Sequence, residues 1–148
     1  MKYTIIRDTR EKNGWWFPES AVCDGTVVEK LDTGDYTLKD KKNILCIERK
    51  GSIGEFANNI TQKRFENELE RMREYKFSFV LLEFDLFEIM SFPQSANFPA
   101  RVLSKIKITA PFVLKKLIEY EMCYPTKFIL CGQYGINIAN NIFKRVME

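Results

Sequence analysis

GDYTLKDKKNILCIERK, residues 34–50, reads as two short strands joined by a polar turn, and its parity organises the rest of the chain. DYTLK (35–39) and ILCIERK (44–50) carry the aromatic and β-branched residues of strands, and Asp40-Lys41-Lys42-Asn43 is a hairpin turn between them. A four-residue turn sets Lys39 against Ile44. Tyr36 then faces Ile47 and Leu38 faces Leu45, which makes one apolar face. On the other face Thr37 meets Cys46 and Asp35 meets Glu48. A one-residue slip would mix apolar and polar sides; a two-residue slip would keep the parity.

Directly opposed carboxylates have Cβ atoms about 5 Å apart and repel one another. A fold carries such a pair when a proton is shared, a cation intervenes or both groups are solvated. Lys50 lies two residues beyond Glu48 and so on the same face, while Arg49 points the other way, opposite Gly34. Asp35, Glu48 and Lys50 therefore offer two oxygen ligands for a hard divalent cation with an ammonium beside them. That set suits metal-assisted phosphodiester hydrolysis. The same three residues also read as a surface ion-pair cluster at the end of a sheet.

Working outward, YTIIRD (3–8) is a first strand, followed by a turn-rich loop with Gly14, Pro18, Asp24 and Gly25 that carries Trp15 and Trp16. Core packing or loop anchoring is the expectation for both tryptophans. A second strand is expected over 26–31. From Ser52 to about Tyr75 the pattern turns helical: Ser52 and Glu55 form a capping-box signature, and Ile53, Phe56, Ile60, Phe65, Leu69 and Met72 recur at spacings of three to five. FSFVLLEFD (77–85) is continuously apolar at its centre, as in a strand covered on both faces. A looser region with Pro93 and Pro99 contains a short helix. A helix over 111–123 opens on Pro111, KFILC (127–131) is a buried strand, and residues 136–147 make a last helix. Helices and strands alternate after a β-hairpin start, which predicts an α/β fold with a mixed central sheet flanked by helices, in one domain over 1–148.

Composition excludes several chemistries. The chain has no histidine, so Ser-His-Asp and Cys-His pairings and HExxH zinc sites are ruled out. Its four cysteines form no CxxC pair and read as reduced, mostly buried thiols. Hydrophobic content of 45% and charged content of 29% suit a globular chain, and no apolar stretch is long enough to span a bilayer. MKYTIIRDTREK lacks a signal-peptide core, so an intracellular location (cytoplasm or nucleoid, or a nucleus) is expected. The net charge of +3 is weak, but Lys63-Arg64, Lys105 with Lys107, Lys115-Lys116 and Lys144-Arg145 cluster locally.

Asp8-Thr9-Arg10-Glu11, Gly34-Asp35-Tyr36, Glu48-Arg49-Lys50, Arg64 and VLLEFD (80–85), in this order, resemble the nuclease domain of the XPF-type structure-specific endonucleases. These have a restriction-endonuclease-like fold of the PD-(D/E)xK superfamily. The resemblance runs through YPTKFILCG and covers nearly the whole chain. It implies metal ligation by Asp35 and Glu48, with Mg²⁺ as cofactor and Mn²⁺ as a substitute. It further implies catalysis assisted by Lys50, a further acid in Asp8, and Arg10, Glu11 and Arg49 in the same cluster. Arg10, Lys63 and Arg64 are the expected DNA contacts, although Arg64 could equally pair with Glu68 one turn on.

One departure concerns the family's acid four positions after the motif lysine. Gly54 stands there with Glu55 beside it, so Glu55 either takes that place through a one-residue shift at Gly51 or caps the helix. The other is the absence of a helix-hairpin-helix domain, as in a small stand-alone member. DNA affinity would then come from the domain's own basic surface, a homodimer or a partner protein. The resemblance implies cleavage of branched, junction or flap DNA in repair or recombination. The competing readings are a catalytically silent DNA-binding or dimerisation subunit, and an assembly module with no nucleic-acid role.

Overall fold

A computed structural model describes residues 1–148. Six strands form one mixed sheet: β1 (Tyr3–Arg7), β2 (Cys23–Val28), β3 (Tyr36–Leu38), β4 (Leu45–Lys50), β5 (Phe77–Leu82) and β6 (Lys127–Leu130), in spatial order β2-β1-β3-β4-β5-β6. β1 and β3, and β3 and β4, pair antiparallel; the other three pairings are parallel. In the hairpin Tyr36 pairs with Ile47, which is the parity that places Asp35 and Glu48 on one face. Asp35 N donates to Ile47 O at 2.7 Å and continues the ladder by one residue.

Helices cover both faces. On one side α1 (Ile53–Asn59), α2 (Lys63–Met72), α3 (Leu86–Met90) and α5 (Ala110–Cys123) bury Phe56, Phe65, Leu69, Met72 and Val113 against Cys46, Val80 and Leu82. On the other, α6 (Gly135–Val146) packs Ala139, Ile142 and Phe143 against Leu38, Leu45, Ile47 and Leu81, joined by Trp15, Phe17 and Tyr36. Alternate residues of β5 thus enter opposite cores, which is why its sequence is a continuous apolar run. A short α4 (Ala100–Leu103) lies in the proline-bearing segment.

The helix expected over 52–75 is two helices. Phe56 to Ile60 is one turn, but Ile60 to Phe65 is five residues, about 140° out of phase on a continuous helix. The chain breaks at Thr61-Gln62 and α2 restarts at Lys63, bringing Phe65 back to the core, where it is buried with Ile60. β2 begins three residues earlier than expected. Gly25 has φ of 99° and sits at a register shift between Tyr3 and Ile5, so it is a bulge within the strand rather than the turn before it. β5 ends at Leu82, and Asp85 caps α3 through Glu88 N at 2.9 Å.

Trp15 is buried, while Trp16 is 54% exposed and anchors nothing in the core. The four cysteines are free, three of them buried. Gly34 is required by its φ of 84°, and a Cβ there would lie 2.6 Å from Cys46 Sγ and 3.1 Å from Ile47 O. The room it provides is for β4 backbone and Cys46, not for Arg49.

Candidate active site

β4 delivers its last three residues to alternate faces. Glu48 and Lys50 turn toward α1 and α2, where they are 7% and 6% exposed. Lys50 Nζ lies 2.9 Å from Glu48 Oε2 and 4.8 Å from the centre of the Phe65 ring. Burial draws the ammonium toward neutrality, but Glu48 and Glu68 outweigh it and hold Lys50 above its ordinary value. Glu48 and Glu68 thus favour the ammonium form of Lys50.

Asp35 enters from the facing strand. Its Oδ2 accepts a hydrogen bond from Arg49 N at 2.8 Å, and its carboxyl titrates well above the usual range. Burial is the main cause, followed by the charges of Glu48 and Glu11, with Arg49 N–H and Lys50 opposing.

Glu68 is the site residue that sequence reasoning missed. It projects from α2 against Glu48, close enough to share a proton, and burial together with Glu48 raises its carboxyl to about 7. Its Oε1 is sealed from solvent with no hydrogen-bond partner. A signal was available: 65, 68, 69 and 72 form an i, i+3, i+4, i+7 stripe, and Glu68 is the one acid in it. Arg64 does not pair with Glu68; its Nη2 reaches Gln62 Oε1 at 3.2 Å.

Glu48, Lys50 and Glu68 line a polar cleft of about 280 Å³ whose walls also include Arg10, Glu55, Asn59, Arg64 and Arg71; Asp35 lies beside Glu48 but outside that lining. Lys63 is not among them; it is exposed and paired with Glu66 at 3.1 Å. Asp8 is buried and fully engaged. Its Oδ2 takes Arg10 Nε at 2.8 Å, and its Oδ1 takes Leu31 N at 2.7 Å. Burial would raise Asp8, but these bonds bring it below the usual carboxylate range. Asp8 thus orients Arg10, which also holds Leu31 O at 2.7 Å, at the rim of the cleft.

Glu55 is an exposed cap. Its N–H donates to Ser52 Oγ at 3.1 Å and its Oε1 accepts from Gly51 N at 2.7 Å. Gly54 faces Phe98, with room for a Cβ only 3.2 Å from that ring.

Arg49 and Glu11 lie on the opposite face of the sheet. Arg49 Nε is 2.5 Å from Glu83 Oε1, its Nη1 is 3.6 Å from Glu11 Oε2, and its guanidinium lies 5.6 Å from the Trp15 ring centre. Their side chains brace the sheet behind the cleft. A larger apolar groove of about 420 Å³ between β5 and α6 also lies on that face, lined by Phe77, Phe79, Ile138, Ile142 and Val146. It offers no acid for metal chemistry.

Whether the cleft suits a divalent cation can be judged from its donors. Glu48, Glu55 and Glu68 supply hard oxygens in excess of the one buried ammonium, with Asp35 next to Glu48, and one of those oxygens, Glu68 Oε1, has no partner. That chemistry fits Mg²⁺ or Mn²⁺. No three acidic or thiol side chains close together at ion-holding spacing. Mg²⁺ needs only one or two carboxylates and completes its octahedron with water and substrate oxygens.

The fold is similar to solved structures of XPF from Aeropyrum pernix. One, at 16% identity, covers 97% of this chain and 64% of that one with a TM-score of 0.62. Another, in complex with DNA, gives 15% identity, 99% and 65% coverage and a TM-score of 0.64. The chain thus spans about two-thirds of the length of the solved proteins it resembles. No curated protein sequence matches it significantly. The sequence pattern of the ERCC4 domain matches residues 7–127, a span that holds the hairpin, both faces of β4 and the cleft. The chain belongs to the ERCC4 domain family.

Proposed function

We propose that this protein is a Mg²⁺-dependent DNA endonuclease, with Mn²⁺ able to substitute, that hydrolyses phosphodiester bonds in branched, junction or flap DNA. ERCC4 domains include structure-specific DNA endonucleases. The observation that carries the reading is the placement of Asp35 and Glu48, from paired strands, on the same sheet face as the buried Lys50, whose Nζ lies 2.9 Å from Glu48 Oε2.

A bound divalent cation would supply Lewis-acid polarisation of the phosphoryl group and a more acidic water. Asp35 and Glu48 would hold it. Asp35 is pre-positioned by Arg49 N, so its carboxylate needs little reorganisation. Lys50, held cationic at the cleft floor, offsets negative charge that develops on the phosphoryl oxygens. Arg10 and Arg64 at the rim are placed to fix phosphates of the substrate strand, with Asp8 orienting Arg10.

The test is a panel of single-stranded, duplex, flap and four-way-junction DNAs with and without Mg²⁺. Asp35→Asn and Glu48→Gln should bind branched DNA and fail to cut it. Cleavage undiminished in both variants would overturn the assignment. Binding of branched DNA by the wild type with no cleavage in Mg²⁺ or Mn²⁺ would make it a silent DNA-binding subunit.

A further inference from the structure

We infer that residues 86–109, between β5 and α5, are a second DNA-contacting surface beside the cleft, one that receives an unpaired strand: Phe87, with Leu86 and Met90, stacks on its bases, and Arg101, Lys105 and Lys107 hold its phosphates. This rests on the nuclease reading and adds to it residues outside the ordered motifs. Leu86, Phe87 and Met90 are 52%, 75% and 56% exposed, and only Ile89 of α3 enters the core. On a helix the three fall within an arc of about 100°, so they form one outward apolar patch. Nothing in the chain covers it, and such a patch marks a surface that meets another molecule.

The topology puts that patch at the edge of the sheet where the cleft lies. β4, β5 and β6 are parallel, so α5 runs back from the edge where β4 and β5 end to the start of β6. Residues 86–109 therefore lie over the C-terminal ends of these strands. Glu83 N donates to Lys50 O at 2.9 Å, so the chain leaves β5 directly beside the last residue of β4. The segment then reaches the wall of the cleft. A Cβ on Gly54 would lie 3.2 Å from the Phe98 ring, and the next residue, Glu55, lines the cleft with Asn59 one turn on. Phe98 packs edge-on to Phe92, with 6.3 Å between ring centres. Ile89 and Phe92 from one half of the segment and Ile106 and Ile108 from the other join the same core, so the two halves form one body.

Charge decides what that molecule is. From Leu86 to Thr109 there are three cations and one acid, Glu88. Arg101, Lys105 and Lys107 are exposed and none is in an ion pair, whereas Lys63 on α2 and Lys115 and Lys116 on α5 each have a carboxylate partner. Unpaired cations beside an apolar patch suit a polyanion that also presents flat apolar faces. Single-stranded DNA is such a ligand, while in a duplex the bases are stacked on one another and offer only their edges. The apolar groove between β5 and α6 lacks this combination, because its one cation, Arg145, is paired with Glu148 at 3.3 Å.

The experiment is fluorescence anisotropy in EDTA, across a salt series, with labelled oligo-dT and a blunt mixed-sequence duplex as probes. The proteins are wild type, Phe87→Ala, Phe87→Trp, Arg101→Ala, Lys105→Ala and Lys107→Ala, with Met122→Ala as a control that is 81% exposed at the far end of α5. Phe87→Ala should weaken oligo-dT binding by about 10-fold and duplex binding by less than about 2-fold, and Phe87→Trp should keep both. Each cation variant should reduce the slope of log affinity for oligo-dT against log salt by about 0.7. Met122→Ala should match wild type. Oligo-dT affinity unchanged in Phe87→Ala and in all three cation variants would overturn the surface, and an equal loss on both probes in Phe87→Ala would overturn its preference for unpaired bases. The nuclease reading fails on a different result, wild type that cuts no branched DNA in Mg²⁺ or Mn²⁺.

Discussion

The like charges in the cleft make a testable demand on the metal-free protein: removing one of them should stabilise it, and only above a certain pH. The perturbation is Glu68→Gln, a near-isosteric change that deletes the charge. A carboxyl that titrates near 4.5 in the unfolded chain and at about 7 in the folded one binds its proton more tightly when folded. Unfolding free energy therefore falls as pH rises from about 4.5 to 7 and levels off above. The shift corresponds to about 3 kcal/mol at most. The assay is urea denaturation in EDTA from pH 4 to 8.5, followed by the fluorescence of buried Trp15. Glu68→Gln should match wild type near pH 4.5 and gain stability toward about 3 kcal/mol by pH 8. Asp35 and Glu11 also titrate above their ordinary values and impose a similar slope on both proteins, so the difference between the curves isolates Glu68. Parallel curves across the whole range would refute the argument that Glu68 is buried against an uncompensated charge.

The brace behind the site gives a second prediction. Arg49→Met removes the cation shared by Glu11 and Glu83, leaving Glu83 without its partner and Glu11 with only Arg7 nearby, and should cost about 3–5 kcal/mol in urea denaturation. Adding Glu83→Gln to Arg49→Met should recover part of that loss. The two adjacent tryptophans should behave oppositely. Trp15→Ala removes a ring stacked 5.1 Å from Tyr36 and should cost about 3–5 kcal/mol, whereas Trp16→Ala should stay within about 0.5 kcal/mol of wild type. On the basic rim, Arg64→Ala should lower affinity for branched DNA and reduce the slope of log affinity against log salt by about one, while Lys63→Ala should change neither.

The hairpin was legible because alternation has no free parameter beyond register: once Tyr36, Leu38, Leu45 and Ile47 must share a face, Asp35, Glu48 and Lys50 share the other. The family resemblance agreed with that parity and supplied the order of the motifs. Glu68 was not legible by the same route. Its placement depends on a helix break that shows only as a five-residue interval between Ile60 and Phe65, and a continuous helix would have turned it elsewhere. Glu55 stayed open for a related reason, since capping box and motif acid demand the same residue at nearly the same position. In the structure Glu55 does both in part: its Oε1 takes Gly51 N in the cap, and the residue lines the cleft. Asp8 looked like a free acid because sequence cannot show that Arg10 and Leu31 N already occupy both its oxygens.

The three consecutive charges of Glu48-Arg49-Lys50 make physical sense as a two-faced device. Period-two alternation sends Glu48 and Lys50 into the cleft and Arg49 into the opposite layer. There Arg49 meets Glu11 from the loop after β1, Glu83 from the end of β5 and the Trp15 ring, while Trp15 N donates to Tyr36 Oη at 2.6 Å. The ordered motifs thus divide by face. Asp35, Glu48 and Lys50 take the face that bears the cleft; Glu11, Tyr36, Arg49 and Glu83 go back to a brace that ties four segments together. The two layers meet at one atom, Arg49 N, whose hydrogen bond fixes Asp35 Oδ2 while its side chain is locked behind. A cleft in which like charges repel would otherwise relax by letting its strands splay. The brace opposes that relaxation, so the repulsion persists in the folded chain. It follows that variants of the brace should lose cation affinity without touching a ligand, and that their loss should track the loosening of the β3–β4 hairpin in hydrogen exchange.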